Sequence, residues 1–365
     1  MKRLPFLIIG LGISFAGALS SATPALAQES PINVVSSGAP FLQINPDARS
    51  GGMGELGIAT QPDEHSALFN LAKTPFTESR SGIGLNYTPW LAAIAPGMYM
   101  MEAAGYHRLD TNQALSIGVR YFSLGDVDVT DYSGTHIETG HPREYSVDLG
   151  YSRKLSDNLG IGVTFRYISS TLATGNINGT NYQTGKAFAG DLSLFYHGAG
   201  GLSAGLALTN LGTKIGYTND ATGGKDYLPA NLGLGIAYTA VIDEDNKLMV
   251  GLDAVKLLVP SAPSDSNAVE QYQGYNVPNS WGHSFSNSAY HFSLGGEYTF
   301  LQSFSVRAGY YLETAAEGDL RYFTAGLGLR YSGIGLNFSY IAPSGNGVTR
   351  TPESNTIKLG VGFSF

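Results

Sequence analysis

The stretch Gly52-Met53-Gly54-Glu55-Leu56-Gly57 matches the G-x-G-x-x-G pattern of loops that bind the pyrophosphate of a dinucleotide. That chemistry requires a strand before the loop, a helix after it and a βαβ unit of about 30 residues. The sequence around these glycines shows no such succession of strand and helix patterns. We therefore interpret the stretch as a place where the backbone passes close to other segments or adopts a positive φ angle.

Acidic and histidine residues elsewhere form no recognisable metal-binding or catalytic pattern. Asp126, Asp128 and Asp131 could offer oxygen ligands to Ca²⁺, but their spacing departs from the EF-hand pattern and favours solvated loop carboxylates. The seven histidines lack zinc-binding spacing, no G-x-S-x-G is present, and the chain has no cysteine. The motifs thus predict no enzyme, no cofactor and no metal site, with a hydrolase built from Ser and His on neighbouring strands left open.

The composition indicates a folded, strand-rich chain. Of 365 residues, 48 are Gly and 22 are Tyr, and 14% are charged, against about 25% in an ordinary soluble domain. A hydrophobic share of 43% is too high for a disordered chain, and the glycines lack the every-third-residue period of collagen. Beyond residue 27, no stretch approaches the roughly 18 apolar residues that a membrane-spanning helix needs. These three classes are excluded.

Residues 1–27 have the features of an export signal peptide. Lys2 and Arg3 provide the positive start, residues 4–19 are apolar or small, and Ala25-Leu26-Ala27 forms a small-x-small cleavage pattern. A membrane anchor helix is the alternative interpretation. Without Lys2 and Arg3, 19 basic residues remain against 29 acidic ones, so the exported chain carries a charge of about −10. An acidic chain without a clustered basic face is not expected to bind nucleic acid.

From residue 80 onwards, apolar residues recur at every second position, which is typical of strands with one apolar face. The end of the chain shows the pattern clearly, since Ile357, Leu359, Val361, Phe363 and Phe365 alternate with small or polar residues. We identify fourteen such segments, beginning near residues 82, 97, 113, 143, 159, 185, 202, 229, 246, 288, 302, 320, 333 and 355.

The links between these segments are alternately short and long, as in outer-membrane barrels with short periplasmic turns and long extracellular loops. Backbone groups in a bilayer must all be paired, so a sheet can span it only as a closed barrel. The sequence therefore predicts an all-β fold: a 14-stranded antiparallel transmembrane β-barrel over residues 81–365, surrounded by outer-membrane lipid. A soluble β-sandwich is the alternative, but it would need no such alternation of loop length. Tyrosines near strand ends and the terminal Phe365 favour the barrel.

The strand phase places eight charged residues on the inward face of this barrel, together with many glycines that leave room in the lumen. The mixed signs favour ion pairs that stabilise the lumen, and a polar conduction path is the alternative. Residues 28–80 precede the first strand and lack its alternation, so we expect them to form a plug inside the barrel. The inward charges are Arg120, Asp148, Arg166, Asp191, Asp253, Glu297, Arg307 and Arg330.

The start of the predicted plug resembles a known family. The stretch Phe41-Leu42-Gln43-Ile44-Asn45-Pro46-Asp47-Ala48-Arg49-Ser50-Gly51-Gly52-Met53-Gly54 is similar to the start of the PorV family, outer-membrane barrels of the type IX secretion system of Bacteroidetes. The likeness continues in the same order through Tyr87-Thr88-Pro89-Trp90-Leu91 and Arg120-Tyr121-Phe122-Ser123-Leu124-Gly125. Asn70-Leu71-Ala72-Lys73 departs from the family, which tends to have Asn-Pro-Ala-Lys there. The plug residues that carry the resemblance are Pro46, Asp47, Arg49, Gly51, Gly52 and Gly54.

The resemblance implies a non-enzymatic secretion component in the outer membrane. PorV-like proteins collect cargo with a C-terminal secretion domain from the translocon, a giant outer-membrane barrel, and deliver it to a sortase-type attachment complex. Long loops on a rigid barrel suit such capture, and aromatic side chains bury large areas at low entropic cost. We therefore expect cargo contacts at Tyr272, Tyr275 and Trp281, with packing inside their loop as the alternative.

Two other functions remain open at this point. The PorV family is similar to the FadL class of fourteen-stranded barrels, so a transporter of hydrophobic small molecules with a movable N-terminal hatch is one alternative. A diffusion porin is another, although a 50-residue segment before the first strand would obstruct an open channel. The fold is shared between these functions and does not decide among them.

Overall fold

Fourteen long antiparallel strands form a closed barrel in the described part of the computed structural model. This confirms the predicted fold class, and each strand begins within two residues of its predicted start. The predicted signal peptide lies outside the described residues. Those residues are 34–91, 97–131, 133–219, 224–263, 265–342, 344 and 353–365.

Fourteen of the strands follow one another around the barrel, and the other four form two short hairpins in loops. Barrel closure comes from pairing of the first strand with the last, in which Leu85 faces Val361. Within the described residues the strands are β1 Ser81–Pro89, β2 Met98–Arg108, β3 Gln113–Leu124, β4 Val127–Thr130, β5 His136–Gly140, β6 Arg143–Lys154, β7 Leu159–Thr171, β8 Gly175–Ile177, β9 Thr180–Tyr182, β10 Gly185–His197, β11 Leu202–Gly212, β12 Asn231–Val241, β13 Lys247–Leu257, β14 Tyr290–Phe300, β15 Phe304–Glu313, β16 Arg321–Tyr331, β17 Ile334–Ile341 and β18 Ile357–Ser364.

Side chains alternate between the two faces of every barrel strand. In β3, Leu115 and Ile117 are exposed on the outside, whereas Arg120 and Phe122 are buried on the inside. Exposed apolar side chains of this kind cover the outer face of the barrel. An apolar outer face on a closed sheet with paired backbone groups is what the bilayer core requires.

The two ends of the barrel differ in their connections. At one end, called the turn end, tight hairpins join the strands, and both central residues of the turn have positive φ at Leu301–Gln302 and at Ser332–Gly333. Such type I′ turns match the twist of the flanking strands. At the other end, called the loop end, longer links contain the hairpins β4–β5 and β8–β9. This difference matches the alternation of link lengths in the sequence.

Aromatic side chains form rows on the outside of the barrel near the loop end. The rings of Tyr87, Tyr99 and Tyr121 lie side by side on β1, β2 and β3, with neighbouring centroids 5.9 and 6.1 Å apart. Tyr145 and Tyr167 continue the arrangement on β6 and β7 at 6.2 Å. Rings with an apolar body and a polar tip suit the boundary between lipid and water.

Residues 34–80, called the N-terminal segment, run from the loop end to the turn end. The amide of Val35 donates to Ala316 O at the loop end, over 2.8 Å, whereas Arg80 O accepts from the Arg108 amide at the turn end, also over 2.8 Å. Between them, short helical turns contact inward-facing residues of strands on all sides. The turns are the 3-10 helices Pro40–Gln43, Ser66–Leu68 and Leu71–Phe76 and the α-helix α1, Ala48–Gly51.

The link between β13 and β14 folds over the loop end as two helices, α2 Ser266–Gly274 and α3 Val277–His283, followed by the 3-10 turn Ser284–Ser286. We call residues 265–287 the helical loop. A further 3-10 turn, Ala199–Gly201, lies between β10 and β11. In the part of the chain that the structure describes, no helix has the length and apolar character to cross a membrane.

Two apolar clusters join the N-terminal segment to the barrel. Phe41 packs with Met100, Phe122 and Ile168 on the inward face of the strands, and all four side chains are buried. Nearer the loop end, Val35 packs in a second cluster whose other buried residues come from strands and loops. That cluster consists of Val35, Tyr227, Leu257, Val259 and Ala289, with Tyr272, Tyr275 and Ala316 half-buried against it.

Candidate functional site

Arg49 ties the N-terminal segment to the barrel wall. Its Nη2 and Nε donate to the two carboxylate oxygens of Glu297 on β14, over 2.9 and 3.1 Å, and its Nη1 donates to Asp63 over 2.7 Å. Glu297 also accepts from Nε of Arg307 on β15, over 2.6 Å. A carboxylate held by two guanidinium groups is a strong, geometrically specific contact.

The local structure of α1 aims Arg49 at this partner. The Asp47 carboxylate accepts from the amides of Arg49 and Ser50, over 3.0 and 2.9 Å, and so caps the first turn. The Ala48 amide donates to Asn86 Oδ1 on β1 over 3.1 Å. Pro46, just before the cap, is buried. The turn is too short to be stable alone, so its order depends on these contacts.

The glycines of the predicted plug motif lie where the segment touches the barrel backbone. A Cβ on Gly54 would come within 2.7 Å of the backbone nitrogen of Tyr310, and Gly54 has a φ of +68°. A Cβ on Gly52 would lie 2.9 Å from the Cα of Gly326, and one on Gly51 would meet the side chain of Lys358. Close backbone approach therefore explains these glycines, and no βαβ unit surrounds them.

Further contacts join the segment to charged residues on the inward faces of three more strands. Lys358 on β18 donates to both carboxylate oxygens of Glu55, over 2.8 and 2.9 Å. Arg330, one of the predicted inward charges, pairs with Glu64 over 3.2 Å. Asp253 on β13 accepts from the amides of Gly57 and Ile58, over 2.8 and 2.9 Å.

The segment also contains two buried bases, of which His65 contacts the barrel wall and Lys73 bonds within the segment. His65 lies 3.0 Å from Glu102 of β2, and Lys73 Nζ donates to Gly57 O over 2.6 Å. Burial acts to lower the pKa of His65, but the adjacent Glu102 carboxylate raises it to about 10. Burial lowers the pKa of Lys73 to about 8, against the opposing effect of Asp63. His65 therefore carries its charge at neutral pH.

Asn70 stands at the site where the sequence departs from the family pattern. Its side-chain oxygen accepts from the Ala72 amide over 3.1 Å, and its Nδ2 donates to the carbonyls of Ile58 and Leu194. Asn70 thereby begins the 3-10 helix Leu71–Phe76.

The remaining predicted inward charges form a second cluster between β3 and β11. Arg166, 2% exposed, donates to Asp148 over 2.7 and 3.0 Å and to Asp191 over 2.9 Å, and it also bonds Asn210. Arg120 lies 3.7 Å from Asp148 and donates weakly to Leu42 O of the N-terminal segment. Two arginines thus balance two aspartates.

The predicted cargo-contact residues lie on the helical loop, and two of them face the barrel. The Tyr227 hydroxyl donates to the carbonyls of Tyr272 and Tyr275, over 2.7 and 3.1 Å. The rings of Tyr227 and Tyr272 meet edge-on with centroids 5.5 Å apart. Trp281 is half-buried, while Phe285 is 60% exposed. Cargo contact by Tyr272, Tyr275 and Trp281 stays a prediction.

The three loop aspartates act separately. Asp126 pairs with His141 over 2.7 Å, Asp128 pairs with His136, and Asp131 accepts from the amides of Ser133 and Thr135 within its own turn. Among the residues that the structure describes, no cluster of three or more His, Asp or Glu side chains could hold a metal ion.

A cavity of about 570 Å³ lies between the N-terminal segment and the loop-end half of the strands. One part of its wall is apolar and includes Phe41, Trp90 and Phe122. Another part carries carboxylates and tyrosines, among them Glu313 and Tyr311. The cavity has the size of a small-molecule site.

The family model described as type IX secretion system protein PorV matches residues 26–264 of this chain, about two thirds of its length. The chain belongs to the PorV family. The matched region contains the plug motif, the buried arginine clusters on β3 to β11 and the first nine barrel strands. Family and fold together place the chain in the outer membrane. No curated protein matches it.

Solved structures similar to this PorV-family chain share its fold. The toluene transporter TbuX of Ralstonia pickettii is 13% identical, with 88% of this chain and 98% of that chain covered, at a TM-score of 0.55. The monoaromatic hydrocarbon channel CymD is 12% identical with the same coverage, at 0.57. The toluene transporter TodX of Pseudomonas putida is 12% identical, with 86% and 95% covered, at 0.52. At these identities the likeness concerns the fold alone.

Sequence reasoning missed several residues of this PorV-family site for a physical reason. Glu55, His65 and Lys73 lie in a segment without strand periodicity, so nothing local predicts their burial. Glu102 and Lys358 could have been predicted as lumenal residues, because each is a charged residue at an inward-facing strand position. Phe285 follows Trp281 by one helical turn and was likewise a visible aromatic signal.

Proposed function

We propose that this chain is a non-enzymatic component of type IX secretion that captures cargo with a C-terminal secretion domain as it leaves the translocon. It then passes the cargo to a sortase-type attachment complex. The observation that carries the proposal is the set of contacts between the N-terminal segment and inward-facing residues of strands around the barrel. A barrel filled in this way suits a scaffold that works through its loops.

The lumenal contacts support a plug that stays in place. Arg49, Glu55 and Glu64 each form an ion pair with a different part of the barrel wall, on β14, β18 and β16. The pairs at Arg49 and Glu55 are buried, and breaking a buried pair leaves an uncompensated charge. Withdrawal of the segment would break them together.

The helical loop supports cargo capture at the loop end. Tyr227 anchors Tyr272 and Tyr275, so the loop is held in one position over the barrel rim. The Phe285 ring, four residues after Trp281 in the same loop, is exposed and available to a partner. Aromatic residues presented on an ordered surface are the usual anchors of protein interfaces. We therefore expect Phe285 and Trp281 to contact cargo directly and the two tyrosines to act by holding the loop.

Site-specific photo-crosslinking in living cells tests this proposal. A photoreactive amino acid at Phe285 or Trp281 is expected to crosslink to the C-terminal domains of secreted cargo. Leu301, which is also exposed but lies at the turn end, is the matched control and should yield no cargo. If loop-end positions give no cargo adduct while secretion proceeds normally, capture by the helical loop is wrong.

Transport of hydrophobic small molecules is the second candidate. It is favoured by the cavity of about 570 Å³ with its apolar wall and by the fold shared with TbuX, CymD and TodX. This candidate requires the N-terminal segment to open a path. Transport can be detected by comparing the uptake of toluene by cells with and without the protein. Equal uptake would exclude this function.

A further inference from the structure

The charged part of the lumenal cavity is built from one row of neighbouring strands. Asp253, Ser293, Tyr311 and Tyr322 stand opposite one another in register across β13 to β16. His291 faces Glu313 across β14 and β15 in the adjacent row. All of these side chains line the cavity, which gathers acidic and aromatic groups on one side.

The carboxylates of this wall outnumber its basic groups. Elsewhere in the cavity wall, Arg166 binds two aspartates and Lys358 binds Glu55. Glu313 is 9% exposed and accepts only neutral donors, the Tyr311 hydroxyl at 2.8 Å and the Leu320 amide at 3.4 Å. Within the described chain, no basic side chain lies within ion-pair distance of Glu313.

Two other carboxylates of the wall keep unused hydrogen-bonding capacity. Glu317 Oε1 pairs with His291 Nδ1 over 2.7 Å, while its Oε2 has no partner and the side chain is 5% exposed. Asp253, 3% exposed, accepts two backbone amides through Oδ2, while Oδ1 has none. A buried carboxylate without a counter-charge, as at Glu313, is costly, and the unpartnered oxygens of Glu317 and Asp253 add to that cost, so a cation in the cavity would stabilise this wall.

The tyrosines add a second feature that favours a cation. The rings of Tyr311 and Tyr322 are stacked with centroids 4.9 Å apart, and the His291 ring lies 5.5 Å from Tyr311. Electron-rich ring faces attract ammonium groups, and carboxylates beside them add Coulomb attraction. No metal-binding cluster of His, Asp and Glu occurs in the described ranges, so the donor set fits an organic cation better than a metal ion.

We propose that the lumenal cavity binds a small organic cation, an ammonium-bearing molecule with an apolar part. Its charge lies between Glu313, Glu317 and the rings of Tyr311 and Tyr322, and its apolar part faces Phe41 and the other apolar wall residues. The loop residues Glu317 and Gly318 belong to the cavity wall, and Gly318 is exposed, so the ligand enters from the loop end. This site is independent of cargo capture.

Titration calorimetry on the purified full-length barrel in detergent micelles tests the site. Benzyltrimethylammonium is the probe, with benzyl alcohol and benzoate as neutral and anionic comparisons. We expect the cation to bind at least about tenfold more tightly than either comparison. Equal binding of the three compounds would overturn the proposal without the need for any variant.

Variants then locate the bound charge. Glu313→Gln and Glu317→Gln are each expected to raise the Kd of the cation about tenfold or more. Glu144→Gln is the matched control, because Glu144 is a buried carboxylate bonded to Ser170 outside the cavity wall, and it should leave the Kd unchanged. Unchanged affinity in the Glu313→Gln, Glu317→Gln double variant, with heat-modifiable migration showing a folded barrel, would also overturn the assignment.

Discussion

At the scale of single residues, the lumen is organised by arginines and carboxylates that bind more than one partner of opposite charge. Arg166 joins Asp148 on β6 to Asp191 on β10, and Arg307 shares Glu297 with Arg49. A guanidinium suits this role because its planar fork donates along several directions at once. These residues therefore cross-link neighbouring strands from the inside.

Replacing Arg166 measures how much such a buried arginine contributes to the free energy of unfolding. Arg166→Met leaves Asp148 and Asp191 without their shared partner, so the free energy of unfolding should fall by about 3–5 kcal/mol. Urea unfolding in lipid or detergent measures the change. Arg321→Met is the control, since its ion pair with Asp319 is half-exposed and its loss should cost less than about 1 kcal/mol. Similar losses in both variants would contradict the buried role.

His65 predicts a specific dependence on pH. Burial acts to lower the pKa of His65, but the Glu102 carboxylate raises it to about 10, above the ordinary value near 6.5. Its contribution to stability is therefore complete below pH 6.5 and is lost as the pH rises through about 10. The stability difference between the parent and His65→Gln should be large at pH 6 and small above pH 10. Thermal unfolding at both values measures it, and a constant difference would refute the charged His65.

At the scale of elements, the N-terminal segment behaves differently from the strands. A strand can be recognised locally because its side chains alternate, and all fourteen barrel starts lie within two residues of the sequence prediction. The segment has no period, and Arg49 meets Glu297 across 248 residues of chain. The motif residues of the segment could be recognised in the sequence. Their partners could not be predicted, because these contacts form only when the barrel closes.

The plug interpretation predicts protection of the segment in intact cells. The chain has no cysteine, so Ala59→Cys, at a buried position, provides a single reporter thiol. We expect slow labelling by external thiol reagents, and faster labelling when Glu297→Gln removes the main partner of Arg49. Glu144→Gln, which removes a buried carboxylate that bonds Ser170, should leave labelling slow. Rapid labelling of Ala59→Cys alone would contradict the plug.

At the scale of the whole molecule, the N-terminal segment crosses the barrel from the loop end to the turn end. The sequence predicts that the segment lies inside the barrel, but it does not predict at which end the segment begins, because its composition is compatible with either direction. The contacts of Val35 with Ala316 and of Arg80 with Arg108 define that direction. The helical loop and the N-terminal segment consequently meet in one cluster at the loop end.

This path predicts opposite exposure at its two ends. Val34, 45% exposed, lies at the loop end, so Val34→Cys should react with membrane-impermeant thiol reagents added to intact cells. Glu78, exposed at the turn end, should react as Glu78→Cys only after the outer membrane is permeabilised. The reverse pattern would contradict either the path of the segment or the expected extracellular position of the long loops.

A role in cargo secretion can be tested by deleting the gene and measuring the proteomes of periplasm, cell surface and medium. We expect cargo with uncleaved C-terminal domains to accumulate in the periplasm, and to reach the surface again when the intact gene is restored. Normal secretion in the deletion strain, together with lost uptake of hydrophobic compounds, would rule out the secretion role and place the function in the lumen.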